Sequence, residues 1–504
     1  MKTLFSLIIF SLLGTVTATT QTRLYTPKEL KEDADYYFST LFWAHPNPYY
    51  FCSAKKFNKL KKSIYRELDK KPLSKTDFIL TIAQINSCLD SHSTIPVDSA
   101  IAEMLVKSRT DKMKEFTVSF LKDSIDIISF QHFTIDSLNT FLKEKKMDKD
   151  SILNSIFILP LVETKKNGLF FLGDSVHKII AVNGILTKTM LSEANKYINK
   201  KLNPQTNLHL VNQYINAMIV GKYNINPPFR IKFDKTNREE TLNGITLTSW
   251  KNEFSNVVLA SIFKYFETPY TYEIYPKNSI AIFHIQTFEI KHREDFLKRL
   301  DEFKEEVNKQ GIKYIFYDLS MNGGGNHFGT EAIDIVKHDT VYFKYKATIR
   351  VNNTTVNNLT INQIILHSNR DDSNIPDDRI LFVLQSALTA SGGDYFCRII
   401  AENKLGILVG EPTCELTKTF SYAREFTMPH TGIKFHIAST LVDYSDYFQS
   451  LTTQPDIDWD LRTIKEFSEQ ELMMIINYYK DRRTERQAPS TRFDSRAERD
   501  RFLR

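Results

Sequence analysis

Lys313-Tyr314-Ile315-Phe316-Tyr317-Asp318-Leu319-Ser320-Met321-Asn322-Gly323-Gly324-Gly325 is the stretch on which the reading of the fold turns. Its first seven residues form a short apolar run and read as a buried strand. Three consecutive glycines follow. Glycine reaches positive φ at no steric cost, so the chain can turn there and bring bare backbone N–H groups to a surface. Such groups hold an anion or a developing oxyanion; a plain surface turn has the same composition. A phosphate loop is excluded, because the Lys-Ser/Thr ending is missing.

The flanks extend the pattern. Residues 279–285 read as a strand, and 293–310 as an amphipathic helix rich in Lys and Glu. Residues 380–384 read as a strand, 394–403 as a helix and 406–409 as another strand. Strands separated by helices of this length imply crossover connections, hence a mixed α/β core over 270–465 with a mostly parallel sheet. Upstream, 24–110 carries apolar residues three and four apart and reads as a helical domain. Residues 111–250 form a connecting region whose second half turns to short strands. There Lys178-Ile179-Ile180-Ala181-Val182 meets the turn pair Asn183-Gly184, followed by a helical run over 188–198. That succession resembles the small peptide-binding barrel called PDZ, and an unrelated β-rich insert fits equally. Residues 481–504 are Arg-rich without apolar periodicity and read as a basic disordered tail.

Bulk properties set the class. The chain has 504 residues, 42% hydrophobic and 25% charged, which suits a multidomain globular protein with a real core. A net charge of +6, partly in the tail, does not call for a nucleic-acid partner. Lys2, the apolar run 4–13 and Val16-Thr17-Ala18 have the form of an export signal cut after Ala18, so residues 1–18 read as a signal peptide. The run is too short to span a bilayer, which takes about 20 apolar residues, and no later stretch does so. The expectation is an exported protein, periplasmic or secreted, with no transmembrane segment after signal removal. Cys52, Cys88, Cys397 and Cys414 lack metal-site spacing. Cys52 and Cys88 could pair in an oxidising compartment, or all four could be free thiols.

Ser386-Ala387-Leu388-Thr389-Ala390-Ser391-Gly392-Gly393-Asp394 lies between a strand and a helix. A serine at such a turn projects its hydroxyl outward beside the first N–H groups of the helix, as a nucleophile requires. It is also where a helix N-cap serine would stand. Gly410-Glu411-Pro412-Thr413 follows the last strand and by itself is only a turn.

Taken together, these segments resemble one family. The tail-specific (C-terminal processing) and tricorn-like serine peptidases carry a strand ending in Asp-Leu-Arg-x-Asn-x-Gly-Gly, then a Thr-Ala-Ser-Ala-x-Glu segment, then Val-Gly-Glu-x-Thr. Here they stand as Asp318 to Gly325, Thr389 to Asp394 and Val409 to Thr413, with Pro455-Asp456-Ile457 resembling a late Pro-Asp-Ile. Ser320 replaces the usual Arg, and Gly392-Gly393-Asp394 replaces the small-small-Glu ending. The resemblance implies a serine peptidase acting on peptide or protein substrates, with no metal or organic cofactor. It makes Ser391 the nucleophile and places backbone N–H groups of Gly324 and Gly392 at the oxyanion. For the base, one branch uses a lysine after the Gly-Glu-x-Thr turn; Leu416 occupies that position, and Lys418 is two residues late. The tricorn-like branch uses a histidine in Asp-x-His-Thr/Ser, which Asp90-Ser91-His92-Ser93 fits, and His45-Pro46 and Phe426-Thr427-Met428-Pro429 resemble the same branch. His92 is therefore favoured as base, with Lys418 the alternative. A carboxylate to orient His92 is expected by analogy; Asp443 and Asp446 lie in the right part of the chain, and neither matches a motif. The competing functional class is an inactive peptide-binding or envelope scaffold of the same fold.

Overall fold

A computed structural model describes residues 23–97, most of 154–249 and most of 269–486. Residues 1–22, 101–153, 198–214, 251–268 and 487–504 lie outside the described residues. With them go the signal segment, the first part of the connecting region and most of the expected basic tail.

The N-terminal unit is helical: α1 (Pro27–Ala44), α2 (Ala54–Leu68) and α3 (Lys75–Ile82), the last tightening into a 3₁₀ turn over Ala83–Cys88. Thr26 and Glu29 cap α1 reciprocally, and Pro27 supplies a fixed φ at its first turn. Leu30, Ala34, Tyr37, Phe38 and Leu41 form its buried stripe. A disulfide joins Cys52 to Cys88 with Cα atoms 5.1 Å apart, tying the start of α2 to the 3₁₀ turn.

A small antiparallel sheet follows, with strands Val162–Lys165, Gly168–Phe171, Ile179–Val182, Phe229–Phe233 and Glu239–Leu242. Asn183 and Gly184 both have positive φ (47° and 80°), which is the geometry of a tight hairpin turn, and α4 (Thr187–Ala194) leaves from it. The chain turns at Gly244 (φ 75°) after Glu239–Leu242. The next two residues, Ile245–Thr246, pair with Phe157–Ile158.

Among the described residues, ten strands build the rest: β1 (Tyr270–Tyr275), β2 (Ile280–Ile285), β3 (Tyr314–Asp318), β4 (Val341–Arg350), β5 (Val356–Leu366), β6 (Ile380–Gln385), β7 (Ile407–Gly410), β8 (Lys418–Thr427), β9 (Lys434–Asp443) and β10 (Ile457–Asp458). The first sheet runs β1-β2-β3-β6-β7-β10; β1 is antiparallel to β2, and the other pairs are parallel. Helices α5 (Arg293–Lys309) and α6 (Gly392–Asn403) cover one face, and α7 (Glu469–Arg486) covers the other. The strand pleat sorts the side chains. Ala281, Phe283, Ile315, Tyr317, Leu381 and Val383 face α5 and α6. Their neighbours Ile280, Ile282, Phe316, Phe382 and Leu384 meet Leu472, Ile475 and Ile476 of α7. With both faces covered, the strands read as continuous apolar runs. Helix α7 continues to Arg486, so residues 481–486 are helical where a basic disordered tail was expected. Arg and Lys are good helix formers, and Arg482 Nη1 donates to Asp456 O at 3.3 Å.

The second sheet, β5-β4-β9-β8, is antiparallel throughout and was not anticipated. It joins the core to the N-terminal helices. Tyr37 of α1 packs edge-on against Phe435 of β9, with ring centres 4.9 Å apart. Buried Asp33 accepts the N–H groups of His430 and Thr431 at 2.8 and 2.9 Å. Arg350 of β4 donates to the carbonyls of His45 and Pro46 at 3.0 and 3.1 Å.

Candidate active site

The Gly-rich turn after β3 and the turn before α6 interlock. Asn322 receives the Gly324 N–H on its Oδ1 at 2.8 Å and donates its amide to Ile285 O at 3.0 Å. Its own carbonyl accepts the Ala390 N–H at 2.9 Å. Thr389 Oγ1 donates to Leu319 O at 2.8 Å and accepts the Ser386 N–H at 2.9 Å. These bonds tie the turn that carries Ser391 to the Gly-rich turn.

Ser391 stands at the N-terminus of α6 with φ 48° and ψ −117°. A non-glycine residue in this region costs on the order of 1–3 kcal/mol, and such strain persists only when the surroundings fix it. Its side chain does not cap the helix, which sets aside the simple N-cap reading. The room around it exists because Gly324 (φ 100°) lacks a side chain: a Cβ there would sit 2.5 Å from Ser391 Cβ. Gly325 (φ 128°) passes as tightly over Phe288, whose carbonyl carbon would lie 2.2 Å from an added Cβ.

The expected oxyanion donors need one correction. Gly324 abuts Ser391, but its N–H is spent on Asn322. Among the described residues the N–H groups of Gly325 and Gly392 have no protein acceptor, and a Cβ on Gly392 would lie 3.2 Å from Gly325 N. These two amides are neighbours at the head of α6, where the helix dipole also favours negative charge.

The departures from the family pattern are absorbed locally. Ser320, where an Arg is usual, folds back on Asp318 Oδ1 through its N–H (3.0 Å) and hydroxyl (2.5 Å). The other Asp318 oxygen meets His284 Nδ1 at 2.8 Å, and all three side chains are buried. Asp394, standing for the usual Glu, accepts the hydroxyls of Thr413 and Thr453 at 2.5 and 2.6 Å and Arg398 Nε at 2.7 Å. Helix α6 is thus bolted to the Gly410–Thr413 turn.

His92 comes from the N-terminal unit and is held on every side. Asp90 Oδ1 accepts its N–H at 2.8 Å, and Asp90 Oδ2 pairs with buried His45 Nε2 at 2.8 Å. Burial pushes the Asp90 carboxyl up, but His45, the Ser93 hydroxyl and the nearby His92 outweigh this and hold it below its ordinary value. The following residues dock on β9: Ser93 Oγ accepts the Ala438 N–H at 3.0 Å, and Thr94 O accepts the His436 N–H at 3.0 Å. His92 Nδ1 lies 3.2 Å from Ser91 Oγ, and Nε2 lies 3.5 Å from Glu415 Oε1.

Glu415 was not singled out from the sequence. It follows Cys414, whose N–H donates to Thr389 O at 2.9 Å two residues before Ser391. One short loop therefore touches both the Ser391 turn and His92. No hydrogen bond joins Ser391 to His92 directly. The remaining candidates are engaged elsewhere. Lys418 is paired with Asp443 at 2.8 Å, and that carboxylate raises its pKa, the wrong direction for a lysine base. Asp446 pairs with Lys346 at 2.5 Å.

Residues 279–459 match the family model described as peptidase family S41. No curated protein matches the chain by sequence. Among solved structures, mature CPAF complexed with lactacystin is similar at 10% identity and TM-score 0.49, over 91% of this chain and 98% of that one. The photosystem II D1 C-terminal processing protease is similar at 11% identity and TM-score 0.35, over 88% and 98%. A putative S41 protease from Bacteroides fragilis is similar at 10% identity and TM-score 0.30, over 75% and 97%.

Proposed function

We propose that the chain is a serine-type peptidase that cleaves peptide bonds with Ser391 as nucleophile and His92 as base; the match of residues 279–459 to the model of peptidase family S41 supports this reading. The observation that carries this reading is Ser391 itself: a strained, non-capping serine at a helix N-terminus, flanked by two N–H groups without a protein acceptor. Attack forms a bond from Ser391 Oγ to the substrate carbonyl carbon while the hydroxyl proton passes to His92. The carbonyl electron pair moves onto oxygen, which the N–H groups of Gly325 and Gly392 receive. Collapse breaks the C–N bond, and His92 returns the proton to the departing amine. Water repeats the sequence and frees the acid.

Peptide or protein substrates follow from the family. The Cys52–Cys88 disulfide supports export to an oxidising compartment, in keeping with the signal-like N-terminus. Among the described residues no helix is long and apolar enough to cross a membrane. The scaffold reading draws on one observation, the missing Ser391–His92 hydrogen bond; catalytic hydrogen bonds are often loose before substrate binds. Hydrolysis of an unfolded protein substrate decides between them. Ser391→Ala and His92→Ala should each abolish turnover, whereas Lys418→Ala should keep it within about twofold. Activity that survives His92→Ala and disappears in Lys418→Ala would reverse the choice of base. A wild-type chain with no turnover on any peptide would leave the scaffold.

A further inference from the structure

We infer that His284 is a positioning residue for the nucleophile, holding the turn that carries Ser391 through Asp318, Ser320 and Ser386; this rests on the reading of Ser391 as the nucleophile. His284 of β2 stands directly beside Asp318 of β3 in the parallel register. The pleat turns both toward the α7 side of the sheet, the side of Ile282 and Phe316, and the His284 ring lies 6.0 Å from that of Phe467. There His284 Nδ1 meets Asp318 Oδ2 at 2.8 Å, with the two side chains 2% and 6% exposed. A carboxylate only accepts, so Nδ1 carries the ring proton. Taking a carboxylate out of water costs several kcal/mol unless it is paired, and among the described residues no lysine or arginine reaches Asp318. Position 320, where an arginine is usual, holds a serine. The imidazole from the neighbouring strand is what keeps Asp318 in place.

From Asp318 the contacts run residue by residue toward the nucleophile. Asp318 Oδ1 accepts both the N–H and the hydroxyl of Ser320, at 3.0 and 2.5 Å, which fixes that residue and aims its carbonyl. The carbonyl accepts the Ser386 hydroxyl. Ser386 Oγ in turn accepts the Leu388 N–H at 3.0 Å, and Ser386 O accepts the Thr389 N–H at 3.0 Å, two residues before Ser391. All four side chains, His284, Asp318, Ser320 and Ser386, are buried. Apolar residues of similar volume in place of a buried ion pair are often as stable or more so, so what this chain of polar contacts contributes is orientation. Ser391 requires it, because a non-glycine residue at φ 48° keeps that conformation only when its surroundings impose it.

The test is a pair of variants at one position, read by steady-state hydrolysis of an unfolded protein and by the rate of fluorophosphonate labelling. His284→Leu removes the donor, whereas His284→Asn keeps an N–H close to where Nδ1 stands. The expected result for His284→Leu is a fall in kcat of about 10–100-fold, since misplacement of about 1 Å costs up to about 100-fold. KM should change less than about threefold, and labelling should slow in proportion to kcat. His284→Asn should stay within about fivefold of wild type. A merely structural role would lower the melting temperature and leave kcat per labelled site unchanged. If His284→Leu does not fold, Ser320→Ala serves instead: it leaves the His284–Asp318 pair intact, breaks the next link and should lower kcat about tenfold. With Ser391→Ala inactive, kcat within threefold of wild type in whichever of these two folds, or an equal loss in His284→Asn and His284→Leu, overturns the role of His284 alone. Wild-type turnover in Ser391→Ala overturns the parent reading.

Discussion

Reducing or removing the Cys52–Cys88 disulfide should weaken the enzyme as well as the fold. The bridge closes a loop of 36 residues in sequence, and cross-linking a loop of that length removes about 3.8 kcal/mol of chain entropy from the unfolded state. That is about a 500-fold change in the folding equilibrium of the segment, at 1.4 kcal/mol per tenfold. Cys88 lies four residues before His92, in the turn whose Asn86 side chain clamps Ile95 through both its amide groups (2.8 and 3.1 Å). The loss therefore falls on the segment that carries His92, the proposed base. A Cys52→Ser/Cys88→Ser double variant should show a denaturant midpoint lowered by the equivalent of about 3–4 kcal/mol and a reduced kcat. Limited proteolysis should cut first within residues 45–97. Equal midpoints and equal kcat, with mass spectrometry confirming the bridge in the wild type, would refute the reasoning.

Two further perturbations bear on the same geometry. Gly324→Ala places a methyl group 2.5 Å from Ser391 Cβ at φ 100°, so Ser391 must move. Turnover should drop by at least about 100-fold, since misplacement of about 1 Å has that effect, while circular dichroism stays native; an active Gly324→Ala enzyme would mean that the turn is looser than described. Asp90 is held ionised below its ordinary range, so it contributes stability that is present above its unfolded pKa of about 3.9 and lost as pH falls through the lower folded value. Asp90→Asn should accordingly cost about 3 kcal/mol at pH 7, as breaking a buried pair does, with the gap to wild type closing in acid. A gap that is constant from pH 7 to pH 3 would contradict this.

Much of the catalytic half could be read from the residues because both faces of its sheet are covered. The strand at 314–318, the helix at 293–309 and the strand at 380–385 announce themselves as apolar runs and an amphipathic period. Strand β5 gave no such signal. Its residues Asn357, Asn358, Thr360 and Asn362 are polar, it lies at a sheet edge, and its hydrogen bonds to β4 rather than any burial define it. Ser391 and the glycine turn could be found because backbone conformation demands glycine there. That the Gly324 N–H turns to the Asn322 side chain is a contact the pattern of glycines does not reveal. Glu415 was invisible for a different reason. Its partner His92 is 323 residues away in sequence, and only the folding of the N-terminal unit onto β9 brings them together.

Labelling with a fluorophosphonate, located by mass spectrometry, tests the central claim most directly. The account predicts a single adduct on the peptide containing Ser391, formed far more slowly in His92→Ala and absent in Ser391→Ala. An adduct on another serine, or none in the folded wild-type chain, would contradict it.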